Sequence, residues 1–312
     1  MSLKVKNNKE KYEYCQEKIN VIVNKLYAEE ITKISNINHA RTELEQRAEE
    51  NGVINNPTIQ KTLSALDQVW TEYKKISCGY FGEKKALESL RVISSPVTVL
   101  NNIELSQDDI KTEIDALVIS KSGIIIVEVK NSKYNAVIDE KGIYRTKNNK
   151  EKSSFLAKNI VQNMKNKEYV VWKTIDDKFP GLVSRDLIAG IVMFVNDDRR
   201  ITCKYNDIIA LNRNEALKYI ENHISKELFS IEEIEKIKDT ITQSKTESEY
   251  EIEIDFDAVI NLVEKSISII KEAYTPEDLN DNLNGEWSSF IMGSLTTIGA
   301  IVLYKLLKKA YS

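Results

Sequence analysis

The run Ile124–Lys130, IIIVEVK, constrains this chain more than any other stretch. Its β-branched residues favour an extended backbone. Side chains alternate along a strand, so Ile124, Ile126, Glu128 and Lys130 share one face, and Ile125, Val127 and Val129 share the other. Both faces are apolar until the last turn, which calls for a sheet covered on both sides. The preceding run, Ile114–Ile119, is a second strand, apolar except for Asp115, and a tight turn at Lys121–Gly123 joins the two. An acid and a lysine that end a buried strand on one face are costly to bury unless something offsets the charge. A metal ion would do so.

The wider pattern is Asp115, twelve residues, then Glu128-Val129-Lys130. Upstream lies Gly82-Glu83 within YFGEKKALESL, and downstream lies Asn159-Ile160-Val161-Gln162. Together with the Glu-Val-Lys-Asn run at Glu128–Asn131, these motifs resemble the nuclease-related domain (NERD) family of the PD-(D/E)XK nuclease superfamily. The resemblance covers roughly Ser77–Leu211. The proline that often follows the asparagine of the downstream motif is Ile160 here.

The resemblance implies a restriction-endonuclease-like mixed sheet flanked by helices. It also implies a metal-dependent nuclease. Asp115, Glu128 and the Val129 carbonyl would hold Mg²⁺, or Mn²⁺ in its place, with Glu83 as a further acid on the metal side. Lys130 would orient the attacking water or stabilise developing charge, and Gln162 would orient a water or Lys130. The substrate implied is DNA, with RNA second. The alternative is a catalytically silent protein of the same fold that binds nucleic acid or a partner through its helical arms.

Glu83 is also singled out by its own helix, about Tyr80–Leu90, where it shares a stripe with Leu87 and Leu90. An inward carboxylate there must be satisfied, either by solvent at a helix end or by a site. Strands and helices alternate from Tyr80 to Leu211, an α/β pattern with a mixed sheet in a three-layer core. The strands expected are Val97–Leu105, with Asn101-Asn102 as a bulge or turn, then the motif pair, Asn135–Ile138, Gly142–Arg145, Asp186–Val195 and Ile208–Leu211.

Composition excludes other chemistry. With a net charge of −4, any surface for nucleic acid must be local. Only His39 and His223 are present, so a Cys/His zinc cluster is ruled out. Cys15, Cys78 and Cys203 are odd in number and scattered, which fits a reducing cytoplasm and no disulfide framework. No Gly-rich phosphate loop and no Ser-His-Asp pattern appears. The first residues, MSLKVKNNKEKYEY, contain no apolar run of the secretory kind.

A local basic excess runs from Lys141 to Lys173, nine Lys/Arg against two acids. Lys147, Lys150, Lys158 and Lys165 are its candidate phosphate contacts, with a solvated helix face as the other reading. Residues 1–76 read as a helical hairpin with a coiled-coil-like seam, through which two chains could also pair as a homodimer. Asn56-Pro57 marks a helix start. Residues 213–284 read as helical, with an acidic strand at Glu247–Asp257 and a helix at Ala258–Ala273. Trp287–Tyr304 carries no charge over 18 residues, near the low end of the roughly 17–25 that span a bilayer. It is expected to be either a membrane anchor or a protein-packed helix.

Overall fold

The computed structural model describes residues 4–5, 7–27, 37–94, 96–147, 158–223, 227–246 and 250–273. In chain order it begins with β1 (Lys4–Val5) and three helices, α1 (Asn8–Tyr27), α2 (Ile37–Glu50) and α3 (Pro57–Leu90). The strands β2 (Thr98–Gln107), β3 (Ile110–Ser120), β4 (Gly123–Lys130), β5 (Asn135–Ile138), β6 (Ile143–Lys147) and β7 (Lys158–Asn159) follow. Then come α4 (Ile160–Asp176), β8 (Ile188–Phe194), β9 (Ile201–Cys203) and β10 (Ile209–Asn212). The chain continues as α5 (Arg213–His223), α6 (Ile231–Gln243), β11 (Tyr250–Glu251) and α7 (Phe256–Ala273). The mixed sheet with flanking helices and helical extensions expected from the sequence is present.

The chain divides into two compact units. One contains the described residues up to Tyr12 together with Lys74–Glu251; the other contains Glu13–Tyr73 and the described residues from Ile252 onward.

In the first unit a five-stranded sheet has the order β10-β8-β4-β3-β2. β4, β8 and β10 run parallel, and the β2–β3–β4 meander is antiparallel. A second sheet has the order β7-β6-β5-β9. The central β4 is buried on both faces, as its composition demands. Ile124 and Ile126 pack in the core beneath α4 and α6, while Ile125 and Val127 pack on the opposite side with Ala86 and Leu90 of α3 and Ala216 and Ile220 of α5.

Strict alternation fails at one place on β2 and β3. Ile114 should share a face with Ala116 and Val118, but it packs with Leu117 and Ile119 on the other side. Ile103 and Leu105 likewise side with Leu100 and not with Val99. The pairing skips one position between Asn101↔Ala116 and Ile103↔Ile114, namely Asn102 opposite Asp115. Asn102 has φ 48°, the left-handed conformation that Asn tolerates better than most residues. The irregularity expected at Asn101-Asn102 is therefore a turnover of the strand pair, and Asp115 sits on it. The β2–β3 hairpin itself closes through Asp108 and Asp109, both at positive φ, a signal the sequence reading missed.

The second unit is helical. Cys15, Ile19, Ile22 and Leu26, then Ala40, Leu44 and Ala48, then Ile59, Leu63 and Leu66 are all buried. The expected seam is thus closed within one chain, and α7 contributes to it. Lys18 pairs with Asp257 at 3.0 Å, and the Thr62 hydroxyl meets the Ser266 hydroxyl at 2.8 Å.

Two boundaries need correction. The separate helix expected near Tyr80–Leu90 is the last part of the 34-residue α3, which runs through Gly79 and Gly82. A helical glycine costs only about 1 kcal/mol relative to alanine, too little to stop a helix packed along its length. The acidic strand does not extend to Asp257. Among the described residues only Tyr250–Glu251 is strand there, and Asp257 lies in the first turn of α7. The stripe Phe256, Val259, Val263 and Ile270 has helical spacing, and the Asp255 carboxylate accepts from Ala258 N at 3.0 Å as its cap. The period-two acids thus lose to a cap and an apolar stripe. Among the described residues no helix is long and apolar enough to cross a membrane, and the segment Trp287–Tyr304 lies outside them.

Candidate active site

The ladder between β3 and β4 runs from Ser120↔Gly123 to Ala116↔Val127 and stops. β4 nevertheless stays paired to β8 as far as Lys130. The sheet therefore opens along the β3–β4 seam, and the next two residues along that seam are Asp115 and Glu128. Asp115 spans the opening with its side chain, its Oδ2 accepting from Val129 N at 2.6 Å. This places one acid on the backbone of the motif strand and ties a backbone donor that the broken ladder leaves over.

Glu128 and Lys130 lie two residues apart, hence on one strand face, and form an ion pair. The other Glu128 oxygen pairs with Lys167 of α4. Lys167 was not among the residues expected from the motifs. It stands on the buried stripe of α4, in line with Val161, Met164 and Val171, where an aliphatic residue would be usual. That position was the available signal. The contact requires α4 to lie close on the sheet. Gly190 of β8 permits it, since a Cβ there would come within 2.3 Å of the Met164 side chain.

Gly82 plays the same part for α3. A Cβ on it would lie 2.5 Å from Cβ of Asn131, the residue after Lys130. Asn131 Nδ2 donates to the Cys78 carbonyl at 2.7 Å, and Cys78 Sγ donates to the Asn131 carbonyl at 2.9 Å. The Gly82-Glu83 motif thus has a physical reason. The glycine lets α3 touch the end of β4, and the next residue carries a carboxylate to the seam. Glu83 Oε1 accepts from Asn8 Nδ2 of α1 at 2.6 Å.

The charges are unequal in their surroundings. Burial pushes Glu83 up to about 8, with repulsion from Asp115 adding to the rise and the Asn8 amide opposing it. Burial and the neighbouring Glu128 raise Asp115 to about 6, against the pull of Lys167 and Lys130. Burial would raise Glu128 too, but Lys130 and Lys167 outweigh it and hold that carboxyl down at about 2. Burial disfavours the Lys130 ammonium, yet Glu128 and Asp115 more than compensate and its pKa is raised. The site therefore holds one firmly ionised acid and two that resist ionisation, the arrangement expected where charge is waiting for a partner.

The remaining expected residues fall elsewhere. Gln162 is exposed, and its amide donates to Asn166 at 2.9 Å on its own helix. Its backbone N–H donates to Asn159 Oδ1 at 2.9 Å, so the Asn-x-x-Gln motif is the N-cap of α4. Ile160 is the first helical residue, where proline is favoured but not required. The structure thus brings Lys167, not Gln162, from α4 to Glu128. Lys165 is exposed on α4. Lys150 and the side chains of Lys147 and Lys158 lie outside the described residues. Among the described residues, three cations of the basic stretch have acid partners: Lys167 with Glu128, Lys173 with Asp177 and Arg145 with Asp139.

Among the described residues no three Asp, Glu, His or Cys side chains converge closely enough to enclose a metal ion. The donor chemistry nevertheless fits a hard divalent cation such as Mg²⁺, which is commonly held by one or two carboxylates and keeps several of its waters. Asp115 and Glu128 would hold it, and a cation there would offset both the burial and the repulsion from Glu128 that raise Asp115.

Residues 78–195 match the family model of the nuclease-related domain. No curated protein and no solved structure matches the chain.

Proposed function

We propose that this chain, which carries a nuclease-related domain over residues 78–195, is a metal-dependent nuclease that hydrolyses phosphodiester bonds of DNA. The observation that supports this best is the meeting of Asp115, Glu128, Lys130 and Lys167 at the opening between β3 and β4.

Phosphodiester hydrolysis needs an activated water and relief of charge on the attacked phosphate. Mg²⁺ or Mn²⁺ on Asp115 and Glu128, with the Val129 carbonyl as a further donor, would supply a more acidic water and a polarised phosphate. The protein does the rest. Val129 N–H fixes one oxygen of Asp115, which leaves the other free to act as a donor. Lys130 and Lys167 hold Glu128 from both sides, so its carboxylate stays ionised across the physiological range. The same two ammoniums, beside the carboxylates that would hold the metal, would stabilise the negative charge that gathers on the attacked phosphate by preorganised electrostatics. Glu83, held by Asn8, is a third acid for the metal side.

A second reading is a catalytically silent nuclease-fold protein that binds nucleic acid. It draws on one observation, that both oxygens of Glu128 already carry a lysine ammonium. Incubating the purified full chain with plasmid, linear and single-stranded DNA, and with RNA, separates the two. The nuclease reading expects cleavage in Mg²⁺ or Mn²⁺ and none in EDTA. Intact substrates in every metal, with retained binding, would establish the silent reading.

A further inference from the structure

We infer that two loops leaving the sheet beside Lys130, Asn131–Tyr134 and Asn196–Arg200, form a cationic shelf for the phosphate backbone of nucleic acid, through Lys133, Arg199 and Arg200. This rests on the nuclease reading above and names the surface by which the substrate is held.

The two loops are fastened to each other and to the motif strand. Val195 N donates to the Lys130 carbonyl at 3.1 Å. Asn196 Nδ2 bridges Asn131 Oδ1 at 2.9 Å and the Ser132 carbonyl at 2.8 Å. Farther along, Arg200 N donates to Asn135 Oδ1 at 3.1 Å, and Ala136 N donates to the Arg200 carbonyl at 3.0 Å. Such cross-links leave the backbone little freedom, so the side chains project from a fixed base. Asn131, which anchors α3 and β4, is itself part of this base.

Lys133, Arg199 and Arg200 are all exposed, and among the described residues none of them is paired with an acid. The acids nearby do not cancel them. Asp197 is committed to Arg213, which leaves Asp198 as the one other carboxylate in the loop. This contrasts with the Lys141–Lys173 stretch, where Arg145, Lys167 and Lys173 already have acidic partners. The Lys133 ammonium lies 5.1 Å from the centre of the Tyr134 ring, which holds it near the loop. In a chain of net charge −4, a surface for a polyanion must be local, and these three uncompensated cations supply one.

The placement suits a substrate that reaches the seam. Three residues of extended chain span at most about 10 Å, so Lys133 lies within that reach of Lys130. Along a duplex axis that distance is roughly three base-pair steps of rise. A backbone on the shelf would thus pass the Glu128–Lys130 end of β4.

The test is binding of a labelled duplex by fluorescence anisotropy in EDTA, across a salt series, with the full chain. The triple variant Lys133→Gln, Arg199→Gln, Arg200→Gln is compared with a control that neutralises three exposed lysines elsewhere, Lys61→Gln, Lys236→Gln, Lys271→Gln. Thermal melts and the three single shelf variants guard against misfolding. We expect the shelf variant to bind at least tenfold more weakly near physiological salt, with the log–log salt slope reduced by about two to three. The control should match the parent. Equal loss in both variants, or an unchanged slope in the shelf variant, overturns the shelf while parental binding leaves the nuclease reading standing. Failure of the parent to bind the duplex overturns the shelf as well, while the nuclease reading is decided separately by cleavage in Mg²⁺ or Mn²⁺.

Discussion

The two units of this protein bury polar groups in opposite ways. In the helical unit, the Thr62 and Ser266 hydroxyls meet each other at 2.8 Å; Thr62 donates to the Thr58 carbonyl at 2.8 Å, which leaves its oxygen to accept from Ser266. Neither member of this buried pair is charged, and among the described residues of that unit no buried side-chain polar atom lacks a partner. In the sheet unit, Glu83, Asp115 and Glu128 crowd one seam with Lys130 and Lys167, and the acids' pKa values diverge from about 2 to about 8. A neutral pair of this kind stabilises a fold by about 1 kcal/mol. A cluster that holds two reluctant acids reduces stability, and proteins retain such strain at functional sites. The bundle is built to stay folded; the seam holds the charge that the proposed hydrolysis would use.

The largest effect should come from Glu128→Ala. It leaves Lys130 and Lys167 without their shared partner, a loss of about 3–5 kcal/mol when a buried pair is broken. Chemical denaturation should show that loss, and cleavage should vanish with it. Lys167→Met is the sharper probe of α4. Removing one preorganised cation should lower single-turnover cleavage by about 10²–10³-fold, with a smaller fall in stability because Lys130 still holds Glu128. If Lys167→Met cleaves like the parent, the α4 lysine is only a structural counter-ion.

Glu83→Gln should go the other way. A folded pKa raised to about 8 means that the folded state holds its proton where the unfolded state has already lost it. Its contribution therefore reduces stability as pH rises from about 4.5 towards 8, as long as no metal is bound. The glutamine variant, still able to accept from Asn8, should be more stable to denaturation than the parent at pH 8 in EDTA, by on the order of a few kcal/mol. The gap should almost close at pH 5. Equal stability at both pH values would mean that Glu83 is better solvated than its setting implies. The smallest effect belongs to the bundle. Thr62→Ala should cost about 1–2 kcal/mol, with nuclease activity per folded molecule unchanged.

These contrasts also explain what was legible in the sequence. The β4 run showed its two-sided burial directly, because β-branched residues filled both alternating faces. Asp115, Glu128 and Lys130 stood out because charge on such strands is rare. Glu83 was visible as a carboxylate on an apolar stripe. Lys167 stands on such a stripe too, but lysine is common on helices, and what it reaches depends on Gly190 admitting α4 to the sheet. Asn8 was hidden for a different reason: it reaches Glu83 across 75 residues of chain, and no local pattern encodes that contact. Gln162 was assigned to the site by its motif, yet the cap that Asn159 makes accounts for the spacing. The acidic run at Glu247–Asp257 misled because period two was read without weighing Asp255 as a helix cap.

The central claim is that the opened β3–β4 seam is a hydrolytic centre. Single-turnover cleavage of an end-labelled DNA duplex in Mg²⁺ or Mn²⁺ tests it most directly, with the parent compared against Asp115→Asn at matched folded concentration. Asparagine keeps the side-chain oxygen that accepts from Val129 N and removes only the charge. The account predicts a rate at least about 100-fold lower, the usual scale for loss of one electrostatic group at a reacting centre. Cleavage by Asp115→Asn at the parental rate would contradict it.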